Sequence, residues 1–271
     1  MDLIAILERA FEALPTAFRQ GQQRVGEDAA GAGLSRAALA NVLLGDDPQA
    51  IADTLLRALG DGIPAIRLAE AVTYAAALRI ARFPVSNEFT DWDTALHTFT
   101  FANAVQQGLR RAPSADLVRG LFDAAMSVYL DRFLNVPATP LPAPAAGGPP
   151  PETTLAELPA LLDRQQQVNP AGELTAHYLA AGGDGRRLLA RLGALLLRED
   201  RDFHTIQTVE ASYRQAGLPE APGALMPEAT PILVAATRYL AAHAPTVRAQ
   251  GQTYRIARRL HRGERLFADE A

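Results

Sequence analysis

The sequence contains no cysteine, and all 26 of its basic residues other than histidine are arginine. Without cysteine, disulfides, thiolate nucleophiles and cysteine-ligated zinc or iron–sulfur sites are excluded. Without lysine, a Schiff-base lysine and the lysine of a phosphate-binding loop are excluded. A GC-rich genome is the simplest explanation of the arginine bias, because the two residues serve equally on most solvated faces.

The chain also lacks a large excess of positive or negative charge. The formal net charge is -4 and the pI about 5.8, so the chain offers no basic field for nucleic acid. We find no apolar run that reaches the roughly 18 residues of a membrane span. The start, Met1-Asp2-Leu3-Ile4, lacks the basic region of a secretory signal, which predicts a cytoplasmic protein.

Helical patterning fills most of the 271 residues. Ser35 and Asp47-Pro48 are typical helix starts, and Pro15 is expected to end or kink the first helix. No Val/Ile alternation is long enough to predict a strand. The sequence therefore predicts an all-α bundle of about a dozen helices.

A proline-rich segment divides the chain. Seven of the fifteen residues from Pro137 to Pro151 are proline, which favours extended polyproline structure. We predict an N-terminal helical half over residues 1–136, a linker or strap over 137–153 and a C-terminal half over 154–271, packed as one domain. A helix beginning His-Thr occurs in each half, at His97 and His204, so the halves are candidate pseudo-repeats.

Three of the five histidines follow a carboxylate by one helical turn, in the pairs Asp93/His97, Glu173/His177 and Asp200/His204. This spacing stacks both groups on one helix face. A carboxylate there can fix the imidazole tautomer, as a general base or a metal-bound histidine requires. Ordinary solvated helices also carry such pairs, and acids near helix starts interact well with the helix dipole.

Two kinds of site fit these residues. In one, a non-haem iron, manganese or zinc ion is bound by a set of five ligands from both halves: His97, His177, His204, Glu173 and Asp200. In the other, His97 acts as a base with Asp93 and Thr100, while Trp92 and Gln207 bind the substrate or cofactor. The apolar neighbours of His97 predict that it is buried, whereas His243 and His261 are expected on the surface.

The stretch Asn87-Glu88-Phe89-Thr90-Asp91-Trp92-Asp93, followed by His97-Thr98-Phe99-Thr100-Phe101-Ala102-Asn103-Ala104, resembles a helical region attached to bacterial Rieske-type [2Fe–2S] proteins. Residues 197–204 and 254–264 fit the same resemblance. The pattern His97-x-x-Thr100-x-Ala102-x-Ala104 is also similar to a motif of the questin-oxidase-like family, which carries out oxygen-dependent Baeyer–Villiger chemistry. Both resemblances imply a redox setting.

The chain departs from the Rieske-type pattern in two ways. It cannot hold an iron–sulfur cluster, because it lacks cysteine, and Pro84 stands where that family is expected to have a histidine. The sequence thus predicts an oxidoreductase with a buried histidine–carboxylate pocket, acting on a small organic substrate with a metal or with base assistance. The alternative is a non-catalytic helical subunit that docks a redox partner protein or forms a homodimer.

Overall fold

The computed structural model describes residues 2–24, 35–143, 147–200, 202–218, 221–226, 228–246 and 249–264. The described residues form twelve α-helices: α1 (Leu3–Arg24), α2 (Arg36–Leu43), α3 (Pro48–Gly60), α4 (Ala65–Ala81), α5 (Phe89–Arg111), α6 (Ala115–Leu130), α7 (Pro151–Leu162), α8 (Val168–Ala180), α9 (Gly185–Arg198), α10 (Phe203–Ala216), α11 (Ala229–His243) and α12 (Ala249–His261). The predicted all-α bundle is confirmed. None of the described helices is long and apolar enough to cross a membrane.

Local capping explains where several helices begin. The Ser35 hydroxyl accepts a hydrogen bond from the Ala38 amide at 3.1 Å. The Asp47 carboxylate accepts from the Gln49 and Ala50 amides, and Pro48 occupies the first helical position. These bonds satisfy amide groups that have no partner inside the helix.

Other boundaries differ from the prediction. Pro15 does not end α1, which continues to Arg24. Ile6, Ala10 and Leu14 are buried along one face of this helix, and burial of that face offsets the roughly 3 kcal/mol that an interior proline costs. The polar, glycine-rich stretch over residues 21–33 predicts a loop, but α1 continues through residues 21–24, and residues 25–33 lie outside the described residues.

Two further differences lie in the second half of the chain. The proline-rich stretch over residues 217–228 predicts a loop, but part of it forms two short antiparallel strands, β1 (Gly217–Leu218) and β2 (Ala221–Leu225). The sequence pattern predicts that the last helix runs to about Phe267, but it ends at His261, and Gly263 follows it with a φ of 74°. A glycine at positive φ is a common helix stop.

Helix α4 lies at the centre of the bundle. Every residue from Ala71 to Ala81 is buried, and the helix packs against α2, α5, α6 and α11. Its alanines leave little side-chain volume between helix axes, so neighbouring helices can approach closely. Helix α11 is buried almost as completely, from Ile232 to Ala241.

Helices on either side of the proline-rich segment pack together, α4 against α11 and α5 against α10. The segment itself is attached to the end of α4. The Thr139 amide donates to the Arg82 carbonyl at 2.8 Å, and the Thr139 hydroxyl donates to the Phe83 carbonyl at 3.1 Å. Helix α7 then begins at Pro151. The interpretation of the halves as pseudo-repeats stays a hypothesis.

A buried polar cluster joins α4 to the end of α6. The Arg79 guanidinium donates to the Val128 carbonyl at 3.0 Å and to the Leu44 carbonyl at 3.3 Å. Asp131, in a short 3-10 helix (Asp131–Leu134), is only 4% exposed, and its Oδ2 has no partner among the described residues. Burial raises the pKa of Asp131 to about 7, although a Thr98 hydrogen bond and the Arg79 charge act to lower it.

We expect Asp131→Asn to stabilise the protein at pH 8 but not at pH 4. Because the pKa is higher in the folded than in the unfolded chain, the wild type binds more protons when folded between about pH 4 and pH 7 and loses stability as pH rises through that window. The gain at pH 8 should be about 1–3 kcal/mol. Denaturant unfolding of the wild type and the variant at both pH values measures this gain. An equal change in the free energy of unfolding at pH 4 and pH 8 would contradict the raised pKa of Asp131.

The crossing of α1 over α3 depends on Gly21. A Cβ atom on this buried glycine would overlap the Leu59 carbonyl oxygen, which is backbone and cannot turn away. Gly21→Ala should therefore lower the free energy of unfolding by about 1–3 kcal/mol. Gly108→Ala in α5 is the matched control, because its Cβ would meet only Leu117 side-chain atoms at 3.4 Å and beyond. Equal effects of the two substitutions on denaturant unfolding would refute the close crossing.

Candidate functional site

The candidate site lies where the starts of α5 and α10 meet the end of α11. Hydrogen bonds join the connection between α9 and α10 to the segment that follows α11. The Glu199 carboxylate accepts hydrogen bonds from the Thr246 amide at 2.8 Å and from its hydroxyl at 2.9 Å, and that hydroxyl oxygen accepts from the Asp200 amide at 2.6 Å. These bonds hold the start of α10 beside the end of α11.

A pair of histidines forms the outer part of the site. The ring centroids of His97 in α5 and His204 in α10 are 5.1 Å apart, and the two rings meet edge to face. His204 Nδ1 is 2.9 Å from the Asp202 carboxylate, and the Phe203 ring lies 3.8 Å from the His204 ring. Partial burial alone would raise the pKa of Asp202, but hydrogen bonds from His204 and Thr205 outweigh it and hold the pKa below its ordinary value.

The inner part of the site consists of Asp93, Tyr239 and His243. The Tyr239 hydroxyl donates to Asp93 Oδ1 at 2.6 Å, which connects α5 to α11. The same oxygen lies 3.6 Å from His243 Nε2. Burial and the hydrogen bond to Asp93 both raise the pKa of Tyr239, so its hydroxyl keeps its proton.

His243 is held neutral with one ring nitrogen unpartnered. Its side chain is 6% exposed, and its Nδ1 lies 2.7 Å from the Tyr239 carbonyl oxygen. Since a carbonyl only accepts, Nδ1 carries the proton and Nε2 keeps a lone pair. Burial lowers the pKa of His243 more than the Tyr239 carbonyl and Asp93 raise it. The contact with Asp93 is therefore not an ion pair at neutral pH, although its distance would allow one.

A cleft of about 360 Å³ lies beside His243. Five of the described residues that line it are apolar: Val85, Phe89, Trp92, Val168 and Ala242. Four are polar: Ser86, Asn87, Gln166 and His243. Gln166 has a φ of 61°, a backbone conformation that side chains rarely adopt and that is common at binding sites. The size and the mixture of lining residues suit a small organic molecule.

The predicted burial of His97 is wrong, and the residues predicted to act with it have other neighbours. His97 is exposed rather than buried, because its side chain lies on the outer face of α5. Asp93 directs its Oδ1 to Tyr239 and lies near His243. The Thr100 hydroxyl donates to the Leu96 and His97 carbonyls of its own helix, so its proton is already used within the helix. Trp92 is buried, packs on Phe83 and lines the cleft.

The predicted metal ligands are not assembled. Asp200 precedes α10 and is exposed. The carboxylate beside His204 is that of Asp202, because Asp202 is the N-cap residue of α10 and its side chain lies over the first turn. His177 lies against the proline-rich segment, with Nε2 3.3 Å from the Pro149 carbonyl oxygen. Glu173 and Gln207 are exposed on α8 and α10. In the described residues, no three histidine, aspartate or glutamate side chains group to hold a metal ion.

Of the inner part of the site, the sequence predicts only Asp93. It places His243 on the surface and does not single out Tyr239. A signal was present, because Tyr239 and His243 are one turn apart at the end of the strongly apolar run Ile232–Ala241. Polar side chains at that spacing on a buried helix require partners.

Comparison with known proteins finds no matching protein family, no matching curated protein and no solved structure that matches this chain. The resemblance to Rieske-associated helical regions and to the questin-oxidase-like family stays a prediction.

The lowered pKa of His243 predicts how stability depends on pH. Below its ordinary value of 6.5 the unfolded imidazole takes up a proton that the folded one resists, so the free energy of unfolding falls as pH drops from 7 to 5. His243→Gln should remove about 1 kcal/mol of that fall. His261→Gln, at an exposed position, is the control. Identical pH profiles of denaturant unfolding for His243→Gln and the wild type would contradict a buried, neutral His243.

Proposed function

We propose that this chain binds a small organic molecule in the cleft beside His243 and accepts a proton from it, and that dioxygen or a separate redox partner protein takes up the electrons when the resulting anion is oxidised. The single observation that supports this most is a neutral histidine in the cleft wall whose buried Nε2 has no hydrogen-bond partner among the described residues and lies 3.6 Å from the Asp93 carboxylate. Perturbed histidine pKa values beside a cleft are typical of catalytic bases.

Each residue of the inner cluster has a role in this proposal. The Tyr239 carbonyl fixes the His243 tautomer, so Nε2 is the nitrogen that accepts the proton. Asp93 then stabilises the resulting imidazolium, because its Oδ1 already lies close to Nε2. The Tyr239 hydroxyl keeps Asp93 in that position and itself stays protonated.

The oxidative part of the proposal comes from the resemblance to redox-associated families, and the proton-accepting part comes from the geometry. A deprotonated organic molecule is more electron-rich and therefore easier to oxidise. The cluster His97, His204 and Asp202 lies next to the inner cluster and supplies a second base, since Asp202 holds the His204 Nδ1 proton. Binding of a non-haem metal ion stays a prediction, which metal analysis of the wild type and of His97→Ala tests.

A second candidate function is supported by exposed aromatic side chains around the site. Phe89 is 56% exposed and Phe203 58% exposed, and they flank the two histidine clusters. Single exposed apolar side chains are common on protein surfaces, so this candidate rests on the position of these two beside the site rather than on their exposure alone. On this alternative the chain is a non-catalytic subunit that docks a redox partner protein or a second copy of itself.

Proton exchange in D₂O separates the two candidates. A panel of small cyclic ketones and phenols is screened by ligand-observed NMR for binding and for exchange of acidic C–H groups. Catalytic exchange should fall at least about 100-fold in His243→Gln while binding is kept. Ala242→Phe, which fills the cleft, should lose binding.

His177→Gln is the matched control, because this histidine lies outside the cleft and should leave binding and exchange unchanged. Exchange by His243→Gln at the wild-type rate would overturn the base assignment. Binding that survives Ala242→Phe in a folded protein would overturn the cleft assignment. If no member of the panel binds, and Phe89→Ser and Phe203→Ser lower the mass of an assembly in solution, the docking alternative is supported instead.

A further inference from the structure

Arg238 is a buried cation without a carboxylate partner in the described residues. It is 1% exposed, and its guanidinium donates to the Asn169 side-chain oxygen and to the Phe83 carbonyl, each at 2.5 Å. Its Nε is buried and has no partner. The one carboxylate that acts on it at longer range, Glu173, belongs to an exposed residue. A buried ion with neutral partners alone leaves much of its lost hydration uncompensated.

Residues close to Arg238 also line the cleft. The Arg238 guanidinium carbon is 6.0 Å from the centre of the Trp92 ring, and Trp92 lines the cleft. Ala242, one helical turn after Arg238, and Val168, the neighbour of Asn169, also line it. The positive charge is therefore separated from the cleft by a single layer of side chains.

Among the residues that the structure describes, no Asp, Glu or Arg lines the cleft. Asp93 is not among the described lining residues; its Oδ1 accepts a hydrogen bond from the Tyr239 hydroxyl and lies 3.6 Å from His243 Nε2. Two opposite charges thus lie next to lining residues, the Arg238 guanidinium near the Trp92 ring and the Asp93 carboxylate near His243. Low-dielectric surroundings strengthen this field compared with water.

We infer that the cleft selects a small organic acid, whose carboxylate lies towards Trp92 and Arg238 and whose uncharged part lies towards Phe89 and His243. This inference rests on the proposed function, in that the cleft must bind a small organic molecule. It names the charge of that molecule and the residue that recognises it. Arg238 acts through its field across Trp92, so it is a positioning residue rather than a catalytic one.

Paired ligands that differ only in charge test the inference. The dissociation constants of benzoate and benzamide, and of 1-naphthoate and 1-naphthamide, are measured by NMR titration at pH 7.5 and low salt. Wild type should bind each acid about 10-fold more tightly than its amide. Arg238→Met should abolish the difference while keeping the amide affinity, since an apolar side chain of similar length can replace a buried ion without loss of stability.

Arg79→Met is the matched control, because Arg79 is also a buried arginine but does not contact the cleft, and it should keep the preference for the acid. Equal binding of acid and amide by the wild type overturns the inference whether or not Arg238→Met folds, and leaves the proposed function standing. A preference that persists in folded Arg238→Met also overturns it. If neither acid nor amide binds and the ketone and phenol panel also fails, the proposed function fails with it.

Discussion

The close packing of α4 against both α5 and α11 is the constraint on which the rest of the structure depends. Eleven consecutive residues of α4, Ala71–Ala81, are buried, and five of them are alanine. Such a helix is stable only if other helices cover it on all sides, because the intrinsic helix propensity of its residues does not offset the conformational entropy lost when the chain becomes ordered. Covering it places α5 and α11 side by side, with α10 across both.

That arrangement forces polar groups into the interior and determines where they find partners. Tyr239 reaches Asp93 because α11 and α5 are neighbours on α4, and Gln215 of α10 donates to Asn103 and Gln106 of α5 for the same reason. Most of these groups are satisfied. The exceptions are informative, because His243 Nε2 and Arg238 Nε both lack a hydrogen-bond partner among the described residues; His243 lines the cleft, and Arg238 lies near Trp92, which also lines it. A protein that keeps such groups buried gives up stability, as active sites often do.

Helix positions could be predicted from the sequence where local chemistry decides them. The caps at Ser35 and Asp47 act within one turn, so reading the sequence is enough to place the helix starts. The proline at position 15 could not be judged in this way, because the burial of a whole helix face outweighs it. His97 and His204 were both proposed as site residues, and the structure brings their rings together.

The inner part of the site required information that the sequence does not carry locally. His243 is the last residue of α11, and a terminal histidine is usually solvated; here Phe89 and Tyr239 cover its ring. The cleft is formed by the chain after α4 and the turn before α8, which are about 80 residues apart in sequence. The pairing of Asp202 rather than Asp200 with His204 depends on cap geometry. In each case long-range packing outweighs the local pattern.

The most direct measurement is the ¹⁵N NMR spectrum of the His243 imidazole, assigned by its loss in His243→Gln. A neutral ring at pH 7, with the proton on Nδ1 and an unprotonated Nε2, is the predicted result, since the Tyr239 carbonyl accepts from Nδ1. A doubly protonated ring, or a proton on Nε2, would contradict the claim that a buried, unpartnered nitrogen beside the cleft is available to accept a proton.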